Sequence, residues 1–447
     1  MNKLGNTYNW TELSGAERRS VLQRPAVAAN AETVASVRAI LAEVQTGGDT
    51  ALRELTGKLD KVELSEFKVS AAEFAAARDA LTNTQVAALQ TAIANVSAYH
   101  EEQLTESKSV ETTPGVVCER ITRPIPAVGL YVPAGTAPLP STAIMLAVPS
   151  SIAACPVRII CTPPRPDGQA DPAVLVAAEI CGVRDVFKLG GAQAIAAMAY
   201  GTETVPKVDK IFGPGNAWVT AAKTLVSSDP AGAALDMPAG PSEVLVIADE
   251  NADPRAVALD LLSQAEHGVD SQVVLVTNST ALAVATDVEI AAALPNLPRR
   301  EIMAESLQHS RIILTDSIDE AVAVSNYYAP EHLIMQVNNA RSYLDQVINA
   351  GSIFLGPFTP ESVGDYCSGT NHVLPTYGYA RAYSGLSLVD FQKRMSVQEL
   401  TEEGVRNLQP TVSILARMEG LDAHARAVEV RIERLDEQAG KPDKTTL

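Results

Sequence analysis

Histidine is scarce in this chain, at positions 100, 267, 309, 332, 372 and 424, and four of the six stand beside groups that could do chemistry. His100 (in AYHEEQ) and His309 (in SLQHSR) read as structural side chains, as a lone histidine most often is. Gln264-Ala-Glu-His267-Gly closes a helix that opens near Asp253-Pro254. Residues three apart share one helix face, so Gln264 and His267 can address one object. Gly268 stops the helix there, and the negative end of its dipole favours a cation. The plain alternative is an exposed helix end whose histidine complements the dipole. Pro330-Glu331-His332 stands directly before the apolar run LIMQV. Neighbouring strand residues face opposite ways, so both can serve one site only where the strand begins. A carboxylate beside an imidazole suits proton transfer near neutral pH.

The segment Gly364-Asp-Tyr-Cys-Ser-Gly-Thr-Asn-His372 follows the strand candidate SIFLG. A glycine-punctuated polar loop at the carboxyl end of a buried strand is where α/β folds place ligands. Asp365 offers a hard anionic oxygen there, and His372 an imidazole. Glu419-Gly-Leu-Asp-Ala-His424 lies in a helical tail, where an exposed helix is the competing reading. Gly190-Gly-Ala-Gln193 and Ile211-Phe-Gly-Pro-Gly-Asn216 each follow a strand candidate, and their amides could receive a phosphate or a cofactor. Neither is G-x-G-x-x-G, so the usual dinucleotide fingerprint is absent.

These groups need a scaffold. The first hundred residues read as helices: Val34, Val37, Ile40, Leu41 and Val44 recur at helical spacing up to Gly47-Gly48, and Ser70 with Glu73 has capping-box spacing. Beyond about residue 120, β-branched runs alternate with alanine-rich segments. Strand candidates begin at Val157, Val186, Lys210, Glu243, Gln272, Arg311, His332 and Ser352. They lack polar alternation, as parallel strands buried on both faces do. Helical stretches between them make repeated βαβ units, an α/β fold of two doubly wound sheets. Pro163 to Pro172 reads as a surface loop, the chain after about residue 388 as helical again, and AGKPDKTTL as a frayed end.

Composition narrows the function classes. A chain of 447 residues predicts two or three domains. Hydrophobic residues at 46% and charged residues at 20% are ordinary for a globular protein. No run approaches the ~18 apolar residues of a membrane span, and the N-terminus lacks an apolar signal core. A net charge of −18 speaks against nucleic acid or anionic membrane as a partner. The cysteines Cys118, Cys155, Cys161, Cys181 and Cys367 form no C-x-x-C pair, which fits a reducing cytoplasm.

Taken together, the segments VGLYVPAGTAPLPST, KLGGAQAIAAMAYG, KIFGPGNAWVTAAK, DMPAGPSEVLVIAD, LLSQAEHGVDSQV, NYYAPEHLIMQ, GDYCSGTNHVLPTYGYAR and EGLDAHARAV resemble histidinol dehydrogenase. They follow that family's order from about residue 125 to about residue 430. The resemblance implies a zinc ion, one per subunit, held by Gln264, His267, Asp365 and His424. It places Ser242, Gln264, His267, His332, Asp365, His372, Glu419 and His424 around the substrate L-histidinol. Tyr131, Gln193 and Asn216 would contact NAD. The implied reaction is a four-electron oxidation to L-histidine through L-histidinaldehyde, the last steps of histidine biosynthesis, consuming two NAD. His332 would be the general base and Glu331 the activator of water; Cys367 would be incidental. NAD over NADP rests on the resemblance alone.

The implied architecture is two incomplete Rossmann-like domains in an intertwined homodimer. Its parts would be an N-terminal arm (1–27), a first α/β domain (28–130 and 242–387) carrying most of the metal and catalytic site, a second (131–241) carrying the NAD contacts, and a helical tail (388–447). That tail would cross to the neighbouring subunit and supply His424. Other readings are an oxidoreductase of another polar alcohol, a zinc hydrolase using Glu331, and a noncatalytic dimeric binding protein. The presence of Ser242, His332, His372 and Glu419 favours histidinol over the first.

Overall fold

A computed structural model describes residues 4–25, 31–134, 137–238 and 240–439. The chain divides into two compact units, Met1–Gln103 with Ile125–Phe391, and Leu104–Pro124 with Gln392–Leu447. In chain order, β1 (Asn6–Asn9), α1 (Gly15–Val21), α2 (Ala31–Leu55), α3 (Ala71–Ala80) and α4 (Asn83–Glu101) lead to β2 (Lys108–Thr113), β3 (Val116–Pro124) and β4 (Ala127–Tyr131). Next come α5 (Pro140–Ile152), β5 (Val157–Thr162), α6 (Pro172–Ile180), β6 (Asp185–Lys188), α7 (Gly191–Tyr200), β7 (Lys210–Phe212), α8 (Ala217–Ser227) and β8 (Ala234–Leu235). A second alternating run holds β9 (Glu243–Ala248), α9 (Pro254–Ala265), β10 (Gln272–Thr277), α10 (Thr280–Ala293), α11 (Arg300–Ser306), β11 (Arg311–Leu314), α12 (Ile318–Tyr328), β12 (His332–Gln336), β13 (Ser352–Leu355) and α13 (Glu361–Tyr366). Last are β14 (Gln392–Leu400), α14 (Glu402–Met418) and α15 (Asp422–Ala439).

Every strand candidate from Val157 to Ser352 is a strand, and all lie in parallel sheets. The six-stranded sheet has the order β1-β11-β10-β9-β12-β13 and the five-stranded sheet β6-β5-β4-β7-β8. Both are covered on two sides, which is why their strands read as unbroken apolar runs. In β9, Val244 and Val246 enter the layer of α9 and α10, while Leu245 and Ile247 face the layer of α12. The result is an α/β fold of parallel sheets flanked by helices.

Of the helices in the first hundred residues, α1 packs on the six-stranded sheet through Val21, and α2, α3 and α4 belong to the five-stranded sheet. Val37, Leu41 and Val44 of α2 pack with α7 and α8, and Phe74 and Val96 of α3 and α4 pack with α5 and α6. Sequence grouping expects these residues with the 242–387 segment; their apolar faces are instead spent on the sheet of residues 127–235. Full burial of Val37, Val44 and Leu52 contributes roughly 1.5–3 kcal/mol each. The α2 backbone leaves the helical path at Gly48, where φ is +52°, so the glycine pair ends one helical stretch and a second resumes across the kink. The capping box at Ser70 and Glu73 is formed in both directions.

Two strands escape the helical reading. Asn6–Asn9, in the expected N-terminal arm, pairs in parallel with β11 at the edge of the six-stranded sheet. Gln392–Leu400 is also a strand, antiparallel to β3 in the sheet β14-β3-β2 of the second unit. Its residues suit a helix locally, but nine cross-strand partners along β3 override that preference. The helical tail therefore begins at Glu402, and α14 and α15 form an antiparallel hairpin. The end of the chain past Ala439 lies outside the described residues.

A tight approach joins the ends of the adjacent strands β4 and β7 in the five-stranded sheet. Gly213, with φ of +122°, stands where a Cβ would meet the Tyr131 carbonyl oxygen at 2.1 Å. Its amide donates to Asp236 Oδ2 at 2.8 Å, and its carbonyl accepts from the buried Lys223 at 2.8 Å. Gly213→Ala is expected to cost about 1–3 kcal/mol through the forbidden backbone region alone. Urea denaturation should show an earlier midpoint with an unchanged slope.

Candidate metal and catalytic site

In the six-stranded sheet the strand order reverses between β9 and β12. The chemistry lies at the amino edge of these two strands, because Ser242 precedes β9 and His332 opens β12. Parallel connections force α9 to run back from the carboxyl edge, and this delivers its last turn, with Gln264, to the same amino edge. Asp253 caps that helix on the Arg255 amide at 2.9 Å with Pro254 in its first turn, as the sequence pattern requires. The Gly364–His372 segment was expected as a loop at the carboxyl end of a strand. Its first part is instead the end of α13, which returns the chain to His332.

Six of the residues singled out from the sequence come together there: Gln264, His267, Glu331, His332, Asp365 and His372. Gln264, Glu331 and His332 are almost fully buried, at 0%, 6% and 3% exposure. His332 Nε2 lies 3.5 Å from Asp365 Oδ1, and its Nδ1 lies 3.6 Å from Glu331 Oε2 and 3.2 Å from the Glu243 carbonyl. His372 is held at both ring nitrogens, by the Asp365 carbonyl at 2.8 Å and by Thr142 Oγ1 at 3.2 Å. Thr142 belongs to α5, so this histidine ties the site to the five-stranded half of the unit. Ser242 is half-buried and directly precedes Glu243 at the start of β9. Glu419, at the end of α14, and His424, in the first turn of α15, are exposed members of the other compact unit.

Two groups that sequence reading does not single out complete the constellation. Glu361, 1% exposed, presents its carboxylate with His267 and Asp365 so that one ligand atom from each lies within 4.8 Å of the others. Its signal was the spacing Glu361–Asp365, i and i+4 on one helical face, once α13 is recognised as a helix. Glu243 supplies the backbone. Its amide donates to Glu331 Oε2 at 2.9 Å, while Arg24 grips its side chain at 2.5 and 2.8 Å and Tyr328 donates to it at 3.2 Å. That anchor fixes the strand start against which both Glu331 and His332 rest.

Burial and crowding set the proton affinities. Burial pushes the Glu331 carboxyl up to about 8, although His332 and the Glu243 amide pull it down. Burial opposes charge on His332, yet the carboxylates of Glu361, Glu331 and Asp365 outweigh it and hold the ring well above its ordinary range. Asp365 is lowered despite its own burial, because His332, His372 and His267 surround it. His372 is lowered, chiefly by burial.

The donor set suits a divalent cation of the zinc type. An imidazole, two carboxylates and an adjacent amide converge, and the buried Nε2 of His332 has no hydrogen-bond partner.

At the carboxyl edge of the five-stranded sheet, the order reverses between β4 and β7, the position where such sheets take ligands. Tyr131 ends β4, Gln193 lies in the first turn of α7, and Asn216 caps α8. The Tyr131 hydroxyl accepts from the Gly191 amide at 3.0 Å, and Gln193 Nε2 donates to Asp60 at 3.0 Å. These two side chains are buried, whereas Asn216 and its neighbour Trp218 are exposed. Helix α7 has no side-chain cap, which leaves its first amides suited to an anion.

Residues 22–432 match the family model described as histidinol dehydrogenase. The chain is 56% identical over 424 residues to a histidinol dehydrogenase of Xanthomonas euvesicatoria, covering 95% of this chain and 98% of the relative. It is 55% identical over 429 residues to one of Vibrio cholerae, covering 96% and 99%. The crystal structure of histidinol dehydrogenase from Elizabethkingia anophelis superposes with a TM-score of 0.93 at 45% identity, covering 97% of this chain and 99% of that one. The chain therefore belongs to the histidinol dehydrogenase family of oxidoreductases.

Proposed function

We propose that this protein oxidises L-histidinol to L-histidine through L-histidinaldehyde, as a zinc- and NAD-dependent cytoplasmic homodimer. The observation that carries the reading is the convergence of the buried pair Glu331-His332 on Gln264, His267 and Asp365. These last three, with His424 from a second subunit's tail, would hold the zinc ion. Bound zinc supplies a Lewis acid that orients the substrate alcohol and polarises its oxygen. NAD, against Tyr131, Gln193 and Asn216, supplies the hydride acceptor.

The chain's own groups move the protons. His332 removes the hydroxyl proton of histidinol as hydride departs from its carbon, leaving the aldehyde. Glu331 takes a proton from water as the oxygen adds to the aldehyde carbon, and protonated His332 returns its proton to the former carbonyl oxygen, which gives the hydrate and frees the base. His332 then removes a hydroxyl proton of the hydrate as the second hydride leaves, and the carboxylic acid results. His372, Ser242 and the partner's Glu419 grip the imidazole and amine of the substrate. Exclusion of water by the buried walls strengthens each of these contacts.

Apolar side chains on the α14–α15 hairpin support the dimer. Ile414 is 61% exposed and Met418 77%, with Leu415, Leu421 and Val430 also in the open. Such a face on a folded chain marks a surface for association. Among the described residues, no helix is long and apolar enough to cross a membrane.

The test is NADH formation from L-histidinol, followed at 340 nm with product analysis before and after chelation. The expected result is two NADH per histidine, lost with chelator and restored by zinc. Turnover of a different polar alcohol with no response to histidinol would move the substrate, and absence of NADH from any alcohol would remove the reading.

A further inference from the structure

We infer that Glu361 is a positioning residue for the metal site: it fixes the Gln264 amide so that the amide oxygen, not its nitrogen, is turned toward the cation. The inference rests on the reading of Gln264, His267 and Asp365 as metal ligands.

The geometry is that of one atom against two. With its amide group oriented to satisfy its neighbours, Gln264 Nε2 lies 2.6 and 3.0 Å from the two carboxylate oxygens of Glu361 and 3.0 Å from His332 Nδ1. Burial and the neighbouring acids hold the Glu361 carboxyl well above its ordinary range in the cation-free site; beside a divalent cation it is a carboxylate, which can only accept, and an NH2 group has two hydrogens to give. The reverse orientation would press a carbonyl oxygen against two carboxylate oxygens where both side chains are buried, and unmatched polar atoms there are costly. Glu361 therefore selects the orientation, and the planar amide must point its oxygen away from it. An amide oxygen is a weak metal donor, so a fixed direction matters more for Gln264 than for an anionic ligand.

Glu361 is itself well placed to hold something still. It is buried at the first position of α13, and Gly364 on that helix has no room for a Cβ, which would meet Phe354 Cε1 at 2.5 Å. The helix thus sits directly on β13, and the carboxylate is presented from a rigid base. Outer groups of this kind, hydrogen-bonded to a ligand, commonly tune metal affinity by ten- to a hundredfold.

The second amide hydrogen reaches His332 Nδ1, which also faces the Glu243 carbonyl. A neutral ring protonated at Nε2 accepts from Gln264, and a ring protonated at Nδ1 donates to Glu243. Gln264 thereby links the metal side of the site to its base.

The experiment measures zinc stoichiometry and affinity, by competition with a chromogenic chelator, in the intact wild-type protein and in Glu361→Gln, Gln264→Ala and the double variant. Glu361→Gln should weaken zinc roughly ten- to a hundredfold. The double variant should be no weaker than Gln264→Ala alone, because Glu361 acts through that amide. Should Glu361→Gln fold poorly by circular dichroism, the exchanged pair Gln264→Glu with Glu361→Gln conserves charge and recreates the hydrogen bond, and should bind zinc within a few-fold of wild type. Additive losses would make Glu361 a ligand in its own right and overturn the inference. Unchanged affinity in Glu361→Gln, or an exchanged pair that binds no zinc, would overturn it too while leaving the metal site standing. Wild-type protein that takes up no zinc would overturn the metal site and the inference together.

Discussion

His332→Asn is expected to lower kcat for oxidation of both L-histidinol and L-histidinaldehyde by roughly 10²–10⁴-fold, the usual worth of a positioned general base. The ring is 3% exposed and enclosed by Glu331, Asp365 and the Glu243 carbonyl, so no solvent group stands ready to replace it. Asparagine retains a polar group near the Glu243 carbonyl but has no useful basicity. Zinc content should remain near wild type, since His332 is not among the proposed ligands. The measurement is steady-state NADH production from each substrate, with metal analysis of the same samples. Equal loss in both steps supports one base serving twice. Loss of the first step alone would assign the second to another group, and loss of zinc would reassign His332 to the metal.

The surroundings of His332 raise its proton affinity. Glu361, Glu331 and Asp365 all favour the protonated ring, so a site without a cation holds His332 charged. A divalent ion among the same carboxylates would repel that proton and free the base at neutral pH. Chelated enzyme should therefore lose activity for two reasons at once: loss of substrate orientation and protonation of its base.

How far the sequence could reach follows from which signals are local. Buried parallel strands such as Glu243–Ala248 and Gln272–Thr277 announce themselves because both faces are covered and no polar alternation survives. Caps at Ser70 and Asp253 are equally local, since each needs only its own next turn. Gln392–Leu400 could not be read this way: nothing within it demands a strand, and β3, which does, is far away in the chain. The same holds for Asn6–Asn9, which completes an edge supplied by residues 311–314. At the site, the motifs located the histidines but not their setting. Placing the Asp365 segment at a carboxyl strand end missed that α13 turns back, and with it the alignment of Glu361 under Asp365. Glu243 read as the start of a strand, and only the fold shows Arg24 and Tyr328 bracing it from 219 and 85 residues away.

Glu331→Gln is expected to separate the two oxidations. The substitution keeps the size of the side chain and a hydrogen-bonding group beside the Glu243 amide, but it cannot accept a proton from water. Oxidation of histidinol to the aldehyde should stay within a few-fold of wild type, whereas conversion of aldehyde to histidine should fall by roughly 10²–10⁴-fold. NADH yield per histidinol consumed should drop from two toward one, with aldehyde recoverable by a carbonyl-trapping reagent. The pH profile supplies an independent arm. Burial raises the Glu331 carboxyl to about 8, so below that pH its neutral, inactive acid form dominates in the free enzyme. Wild-type oxidation of the aldehyde should accordingly rise with pH along a limb that the bound cation moves below the cation-free value of about 8, and this limb should vanish in Glu331→Gln. A variant that loses both oxidations equally would make Glu331 a support for His332 instead of the group that activates water, because their side chains lie 3.6 Å apart and share the Glu243 anchor. Retention of full histidine formation would place water activation on a group other than Glu331.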